Sequence, residues 1–189
     1  GKWTPPSQRV CELLRQGAQI ALNMPPEWLD ELDQAGVFST STYFVIDDPV
    51  IMAGARRVIR SSLRHWAQAN VQNPGAPVPA HVPDDMRANA RELVRRGTTD
   101  QMFNASRTVQ NSAWQLWMNV VFGLTSDPKE LRELLDVSAQ SISAYIDANM
   151  EEIAAFIQAE REQRLRGSPV ARRELVTLIL EGAAVSAQQ

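Results

Sequence analysis

The chain has a single cysteine, Cys11, among its 189 residues. One thiol cannot form a disulfide within the chain, so side-chain packing must stabilise the fold, and a reducing compartment suits it. A chain of this length buries roughly 70% of its unfolded surface without a covalent crosslink. Because Cys11 lies beside Val10 in an apolar helical register, we expect it to pack against other residues rather than to act as a nucleophile.

Histidine is also scarce, with only His65 and His81 in the whole sequence. Two histidines and one cysteine at unrelated spacings make a poor metal site, so we expect no metal and no cofactor. Haem ligation by His65 is an alternative that the colour of the purified protein would reveal. The sequence also lacks a glycine-rich phosphate loop and a nucleophile elbow, and we therefore expect no enzyme activity.

The sequence also lacks an excess of positive charge and any long apolar run. The 19 Lys and Arg residues against 22 Asp and Glu residues leave a net charge of −3, which argues against direct binding to nucleic acid or to an acidic membrane. No apolar run approaches the ~20 residues that span a bilayer, and the opening GKWTPPSQRV has no signal-peptide core. These absences predict a soluble, cytoplasmic chain.

The pattern that is present is helical. Strand-like alternation is limited to YFVI at residues 43–46, and the remaining periodic segments predict an all-α bundle of about seven helices. The expected helix starts are marked by Ser7, Pro26, Asp48, Asp84, Asp100, Asp127 and Ser168. Gly97 follows two arginines and is expected to end the fourth helix. The proline-rich loop at residues 73–83 separates two halves of the bundle and is a candidate for a mobile lid.

The sixth helix is predicted to be unusually long. Its apolar stripe ends at Ile157, but the helical pattern continues to Arg166, and a helix from Pro128 to Arg166 would be about 58 Å long at ~1.5 Å per residue. That length exceeds the width of a domain of this size. We therefore expect a helical sensory or dimerisation bundle at residues 1–157 and a projecting connector at residues 158–189.

The expected connector combines a solvated helix end with a new apolar helix. Glu160 with Arg164, and Glu162 with Arg166, have the i,i+4 spacing that supports an exposed helix. The apolar side chains of the last helix need a partner, so we expect the connector to lead into an output domain. The connector residues expected to relay a signal are Glu160, Arg164, Gly167 and Pro169.

The fifth helix carries the candidate binding residues. Met102, Ser106, Val109, Ala113, Trp117, Val120 and Val121 follow one side of it, and Phe103, Arg107, Gln110 or Asn111, and Trp114 follow the adjoining side. Because few of its later residues are strongly solvated, we expect this helix at the centre of the bundle, with its polar residues in low-dielectric surroundings.

Two interpretations of these polar residues are open. One is structural, in which Arg107 pairs with a buried carboxylate or caps nearby carbonyls. The other is a pocket for a small anionic or amphipathic effector, since guanidinium groups suit carboxylates and aromatic walls hold apolar parts. The expected pocket residues are Asn104, Arg107, Asn111, Trp114 and Trp117.

Two stretches resemble a known family. PDDMRANARELVRRGTTDQMFNASRTVQNSAWQLWM is similar to the N-terminal sensory segment of PucR/CdaR-type transcriptional regulators, which is related to the N-terminal domain of the stressosome protein RsbRD. The pattern consists of an A-x-x-L-x-R-R-G helix end, then Ser106-Arg107, then Trp114. Ser106 stands where the family often has tyrosine. AYIDANMEEIAAFIQAEREQRLRGSPVARRELVTLILEG resembles the family's long connector.

The resemblance implies a bacterial, ligand-responsive transcriptional regulator. In such a regulator, effector binding or a dimer rearrangement near the fifth helix would shift the sixth helix. DNA would be contacted only through C-terminal domains that are missing from this chain, and the chain itself is expected to form a homodimer. The alternative is a purely structural interaction module, with helices three and six as a dimer face and no small-molecule ligand.

Overall fold

The computed structural model describes residues 5–37 and 48–186. Within these ranges the chain forms seven helices and no strand, so the predicted all-α bundle is confirmed. The helices are α1 (Gln8–Leu22), α2 (Pro26–Val37), α3 (Pro49–Gln72), α4 (Asp84–Arg96), α5 (Asp100–Leu124), α6 (Pro128–Arg166) and α7 (Pro169–Ser186). The YFVI stretch at 43–46 lies outside the described residues.

Three helices begin where a side-chain oxygen accepts hydrogen bonds from amides of the first turn. Ser7 does this for α1, Asp48 for α3 and Asp127 for α6, as predicted. At α6, Asp127 and Glu130 form only half of a capping box, in which the Glu130 amide donates to Asp127 Oδ1. The Glu130 carboxylate accepts a hydrogen bond from Thr125 Oγ1 at 2.6 Å, and the Asp127 amide donates to the same hydroxyl at 3.2 Å.

The start of α4 differs from the prediction. Asp84 does not cap this helix, because Pro83 occupies the N-cap position and Asp84 is the first helical residue. Its carboxylate therefore acts on the helix dipole rather than on a specific amide. The other end agrees with the prediction. Gly97 has a φ of 70°, and the Thr98 amide donates to the Leu93 carbonyl at 3.0 Å, which forms a Schellman motif.

The larger apolar cluster forms where α1, α3, α5 and α6 meet. Its most deeply buried members include Val10, Leu13, Leu14, Ala18, Trp66, Ala67, Trp117, Val121 and Leu134. The Trp66 and Trp117 rings meet edge to face, with centroids 5.1 Å apart. Gly17 allows this packing, since a Cβ atom at that position would lie 2.6 Å from Trp117 Cη2. The absence of a side chain thus lets α1 approach α5.

A second apolar cluster joins α4 to the middle of α6. Its buried members are Val82, Met86, Ala90, Ile153 and Ile157. Ion pairs flank it on the surface, with Arg87 Nη2 3.2 Å from Glu152 Oε1 and Arg91 Nε 3.1 Å from Glu160 Oε1. The apolar contacts supply most of the adhesion, because exposed ion pairs each contribute only about 0–1 kcal/mol.

The helix α7 exposes its apolar side chains. Leu175, Leu178 and Ile179 are 60–65% exposed, and Leu165 near the end of α6 is 69% exposed. Exposed leucines and isoleucines at this density are uncommon on the surface of a monomeric protein. This helix therefore differs from the six that precede it, each of which packs into the bundle.

Candidate functional site: an apolar cavity along the fifth helix

A cavity of about 240 Å³ runs between α3, α5 and α6. The wall residues on α3 are Ile51, Ala55, Val58, Ile59, Ser62, Leu63 and Trp66; those on α5 include Met102, Ser106, Val109, Ala113, Trp117 and Val120; those on α6 are Ile142, Tyr145, Ile146, Asn149 and Met150. The α5 residues lie on one of the two sides that the spacing distinguished. The α3 residues on the wall recur at three- and four-residue intervals, as one side of a helix does.

The cavity is elongated. On α5 its wall extends from Gln101 to Val120, which is roughly 28 Å along the helix axis at about 1.5 Å per residue. On α3 it extends from Ile51 to Trp66, which is roughly 22 Å by the same rise. A volume of 240 Å³ spread over that length describes a narrow channel rather than a round chamber.

The wall is apolar apart from a few neutral polar side chains. These are Ser62, Asn89, Gln101, Ser106, Gln110, Tyr145 and Asn149. None of the described wall residues is an arginine, lysine, histidine, aspartate or glutamate. A charged molecule would therefore lose its hydration without gaining a counter-charge, whereas an apolar molecule would gain contacts.

Protein interiors contain few voids larger than a water molecule. A space of about 240 Å³ left among apolar side chains therefore favours a binding role for the cavity over a packing role.

Two polar atoms on the wall make no hydrogen bond within the described part of the chain. They are Trp117 Nε1, a donor, and Gln101 Oε1, an acceptor. Trp117 is only 5% exposed, so its N–H is also largely shielded from water. A buried donor without a partner costs about 1–3 kcal/mol. Neither atom has surface that a water-sized group could reach.

The structure divides the predicted pocket residues between two sides of α5. Asn104, Arg107 and Asn111 are exposed, and Trp114 is half-buried against the larger apolar cluster. Only Trp117 lies on the cavity wall. The expectation that the polar residues lie in low-dielectric surroundings is wrong, because one face of α5 is solvated along its length. Arg107 makes no ion pair with any described residue.

Sequence reasoning missed the cavity because it searched for a charged recognition group. The signal that was present is the row of small residues Ala105, Ser106 and Ala113 on the inner side of α5. Small residues on a central helix leave space unless a neighbouring helix moves closer. The distance of α3 and α6 from α5 depends on the packing of those two helices. The periodicity of α5 carries no information about that distance.

The proline-rich loop at 73–83 is held firmly at its second end. His81 N donates to Asn149 Oδ1 at 2.7 Å, and the His81 ring meets Ser61 Oγ at 2.8 Å. The His65 and His81 rings stack with centroids 4.5 Å apart, and His65 stacks on Tyr145 at 5.8 Å. Burial, helped by the neighbouring His65, holds the pKa of His81 below its ordinary value.

The expected connector residues lie at and beyond the end of the bundle. Glu160 pairs with Arg91 of α4 rather than with Arg164, and Arg161 Nη2 donates to Thr99 Oγ1 at 2.6 Å. Arg164 is exposed. The remaining connector residues, Gly167 and Pro169, separate α6 from α7, which starts at Pro169. The continuous helix therefore contacts α4 through Glu160 and the start of α5 through Arg161, and then exposes its side chains.

Other kinds of site find no support in the residues that the structure describes. These residues contain no group of three or more His, Cys, Asp or Glu side chains placed to hold a metal ion. None of the described helices is both long and apolar enough to cross a bilayer.

The fold and the cavity together define an all-helical bundle, in which one wall of an apolar cavity continues into a long helix with an exposed end. The family model of the RsbT co-antagonist protein rsbRD N-terminal domain matches residues 26–172. Since this match covers well over half of the chain, the chain belongs to that family. No curated protein and no solved structure matches the chain.

Proposed function

We propose that this chain is the N-terminal sensory domain of a bacterial PucR/CdaR-type transcriptional regulator. A small molecule binds in the cavity, and α6 carries the signal to DNA-binding domains that follow in the regulator. The family match and the resemblance of the connector support this context. One observation carries the mechanism: α6 contributes Ile142, Tyr145 and Ile146 to the cavity wall and continues as one helix to Arg166.

The relay depends on a ligand that distinguishes two positions of α6. A ligand shifts an equilibrium only through its different affinity for the two states. Occupying the channel pushes against Tyr145, Asn149 and Met150, which lie near the middle of α6. A helix transmits such a displacement along its axis, and the contacts of Glu160 with Arg91 and of Arg161 with Thr99 are the ones that would rearrange.

We also propose that the domain acts in the cytoplasm as a homodimer, without enzyme activity. A regulator that reads two DNA half-sites commonly has two-fold symmetry, and a sensory bundle can supply it. The α3 and α6 helices direct Trp66 and Leu134 into the core of one chain. The exposed apolar side chains of α7 are the surface that best fits a second copy.

A second candidate function is a structural interaction module with no small-molecule ligand. The observation in its favour is the exposure of Leu175, Leu178 and Ile179 on α7. In that case the cavity would be incidental, and filling it would stabilise the bundle without any effect on the far end of α6.

Hydrogen exchange measured by mass spectrometry separates the two candidates. Ala113→Trp fills the channel from α5 and imitates an occupied site, while Gln115→Trp adds the same side chain to an exposed position of the same helix. We expect the first variant to change amide exchange at residues 158–166 by about threefold or more, and the second to leave it unchanged.

One result of the exchange experiment would contradict the sensory proposal. If Ala113→Trp slows exchange around the cavity but leaves residues 158–166 as in the wild type, α6 does not transmit occupancy of the channel. The sensory proposal then fails and the interaction module stands. Val109→Phe, which fills the same channel from the preceding turn, replaces Ala113→Trp if that variant does not fold.

A further inference from the structure

We infer that the cavity takes a neutral, elongated, mainly aliphatic molecule. The inference rests on the proposed sensory function and adds the chemical class of the ligand. It departs from the anionic effector that Arg107 suggested, because Arg107 lies on the exposed side of α5.

The length of the channel indicates that the ligand is elongated. The wall on α5 covers roughly 28 Å between Gln101 and Val120. An apolar cavity of about 150 Å³ is known to accept benzene, so 240 Å³ is enough for a larger molecule. A compact molecule would use only part of this length, whereas a linear chain can contact Met102, Val109 and Val120 together.

The side chains on the wall indicate that the ligand is uncharged. The described wall residues include no cationic side chain that could pair with a carboxylate or a phosphate. Moving an unpaired anion into such surroundings is strongly unfavourable. Lipophilic ketones, aldehydes and esters meet no such barrier, since they carry no charge.

The test compares two probes of equal chain length, 2-undecanone and undecanoate, by isothermal titration calorimetry with this chain at pH 8. We expect saturable binding of 2-undecanone, at least about tenfold tighter than binding of undecanoate. Ala113→Trp should abolish binding, while Gln115→Trp and Arg107→Ala should retain it. If undecanoate binds as tightly as the ketone, the neutral class is wrong.

These failures are distinct from a failure of the proposed function. Tight undecanoate binding that Ala113→Trp abolishes would leave a sensory cavity with an anionic ligand. Binding that Ala113→Trp leaves intact would place the ligand outside the channel and overturn the inference. The exchange experiment on residues 158–166 decides the relay without any ligand, so it can fail or succeed independently of both probes.

Discussion

At the scale of single residues, the contact between Gly17 and Trp117 shows how one missing side chain sets the distance between two helices. Glycine inside α1 lowers helix stability by about 1 kcal/mol relative to alanine. The cost is offset because the Trp117 ring occupies the space beside it, with its Cη2 atom 2.6 Å from where a Cβ would lie. That ring also forms part of the cavity wall.

Gly17→Ala should therefore destabilise the fold despite its better helix propensity. We expect the free energy of unfolding to fall by about 1–2 kcal/mol, since overpacking costs about 1–3 kcal/mol and propensity returns part of it. Gly123→Ala in α5 is the matched control. A Cβ there meets nothing within 4 Å, so it should be neutral or stabilising by up to about 1 kcal/mol. Urea unfolding of both variants checks the pair, and equal effects would contradict the close contact.

At the scale of elements, the loop at 73–83 is attached to α3 and α6 through His81. The His81 main-chain amide donates a hydrogen bond to Asn149 Oδ1. The His81 ring forms a hydrogen bond with Ser61 Oγ and stacks on the His65 ring. Burial and the neighbouring His65 lower the pKa of His81 from its ordinary value of 6.5. The folded state thus favours the neutral ring, and this part of the stability is complete above pH 6.5 and lost as the pH falls below it.

Acidification should therefore weaken this attachment in a defined window. We expect the free energy of unfolding of the wild type to decrease between pH 7 and pH 5 by more than that of His81→Gln, which retains a polar side chain but does not titrate. The wild type should lose more, because only in the wild type does residue 81 take up a proton more readily in the unfolded chain than in the folded one. Chemical unfolding at the two pH values measures it, and parallel losses would show that the stacked histidines do not couple protonation to folding.

The long helix α6 joins the two functions that the proposal needs. Its middle residues line the cavity, and its later residues hold α4 through Ile153, Ile157 and the pair Glu160–Arg91. The apolar contacts keep the helix in one position, while the exposed ion pair adds little energy and can be exchanged easily. A helix held this way can respond to a ligand without unfolding.

At the scale of the whole molecule, the apolar surface of α7 bears on how the chain assembles. Six helices bury their apolar faces within one chain, and α7 does not, with Leu178 65% exposed and Leu180 64% exposed. Burial of such side chains stabilises by about 1.5–3 kcal/mol each. In the proposed homodimeric regulator, a second copy of the chain would cover these side chains.

Native mass spectrometry should therefore report twice the 21.1 kDa mass of one chain. Leu178→Glu together with Leu180→Glu should return the monomer, because two buried carboxylates would be unpaired. Val50→Glu, at a residue 76% exposed at the start of α3, is the control and should leave the dimer intact. A wild-type monomer at micromolar concentration would contradict the dimer, and a dimer that survives the double substitution would place the interface away from α7.

Much of this architecture follows from local signals in the sequence. Ser7, Asp48 and Asp127 begin helices because each places a side-chain oxygen beside free amides, and Gly97 ends one because it adopts a positive φ. The spacing of α5 distinguished its two sides but did not show which one is solvated. Asp84 was misassigned because a capping residue and the first residue of a helix differ by one position, and both favour aspartate.

What the sequence by itself determined is thus the number and order of the helices, since these depend on neighbours within about four residues. Only the tertiary structure decided where space remains between them. Arg107 and Trp117 lie on one helix, yet one is solvated and the other lines the channel. That outcome depends on how closely α1, α3 and α6 approach α5, and such distances are set by side chains far apart in the chain, Gly17 and Trp66 among them.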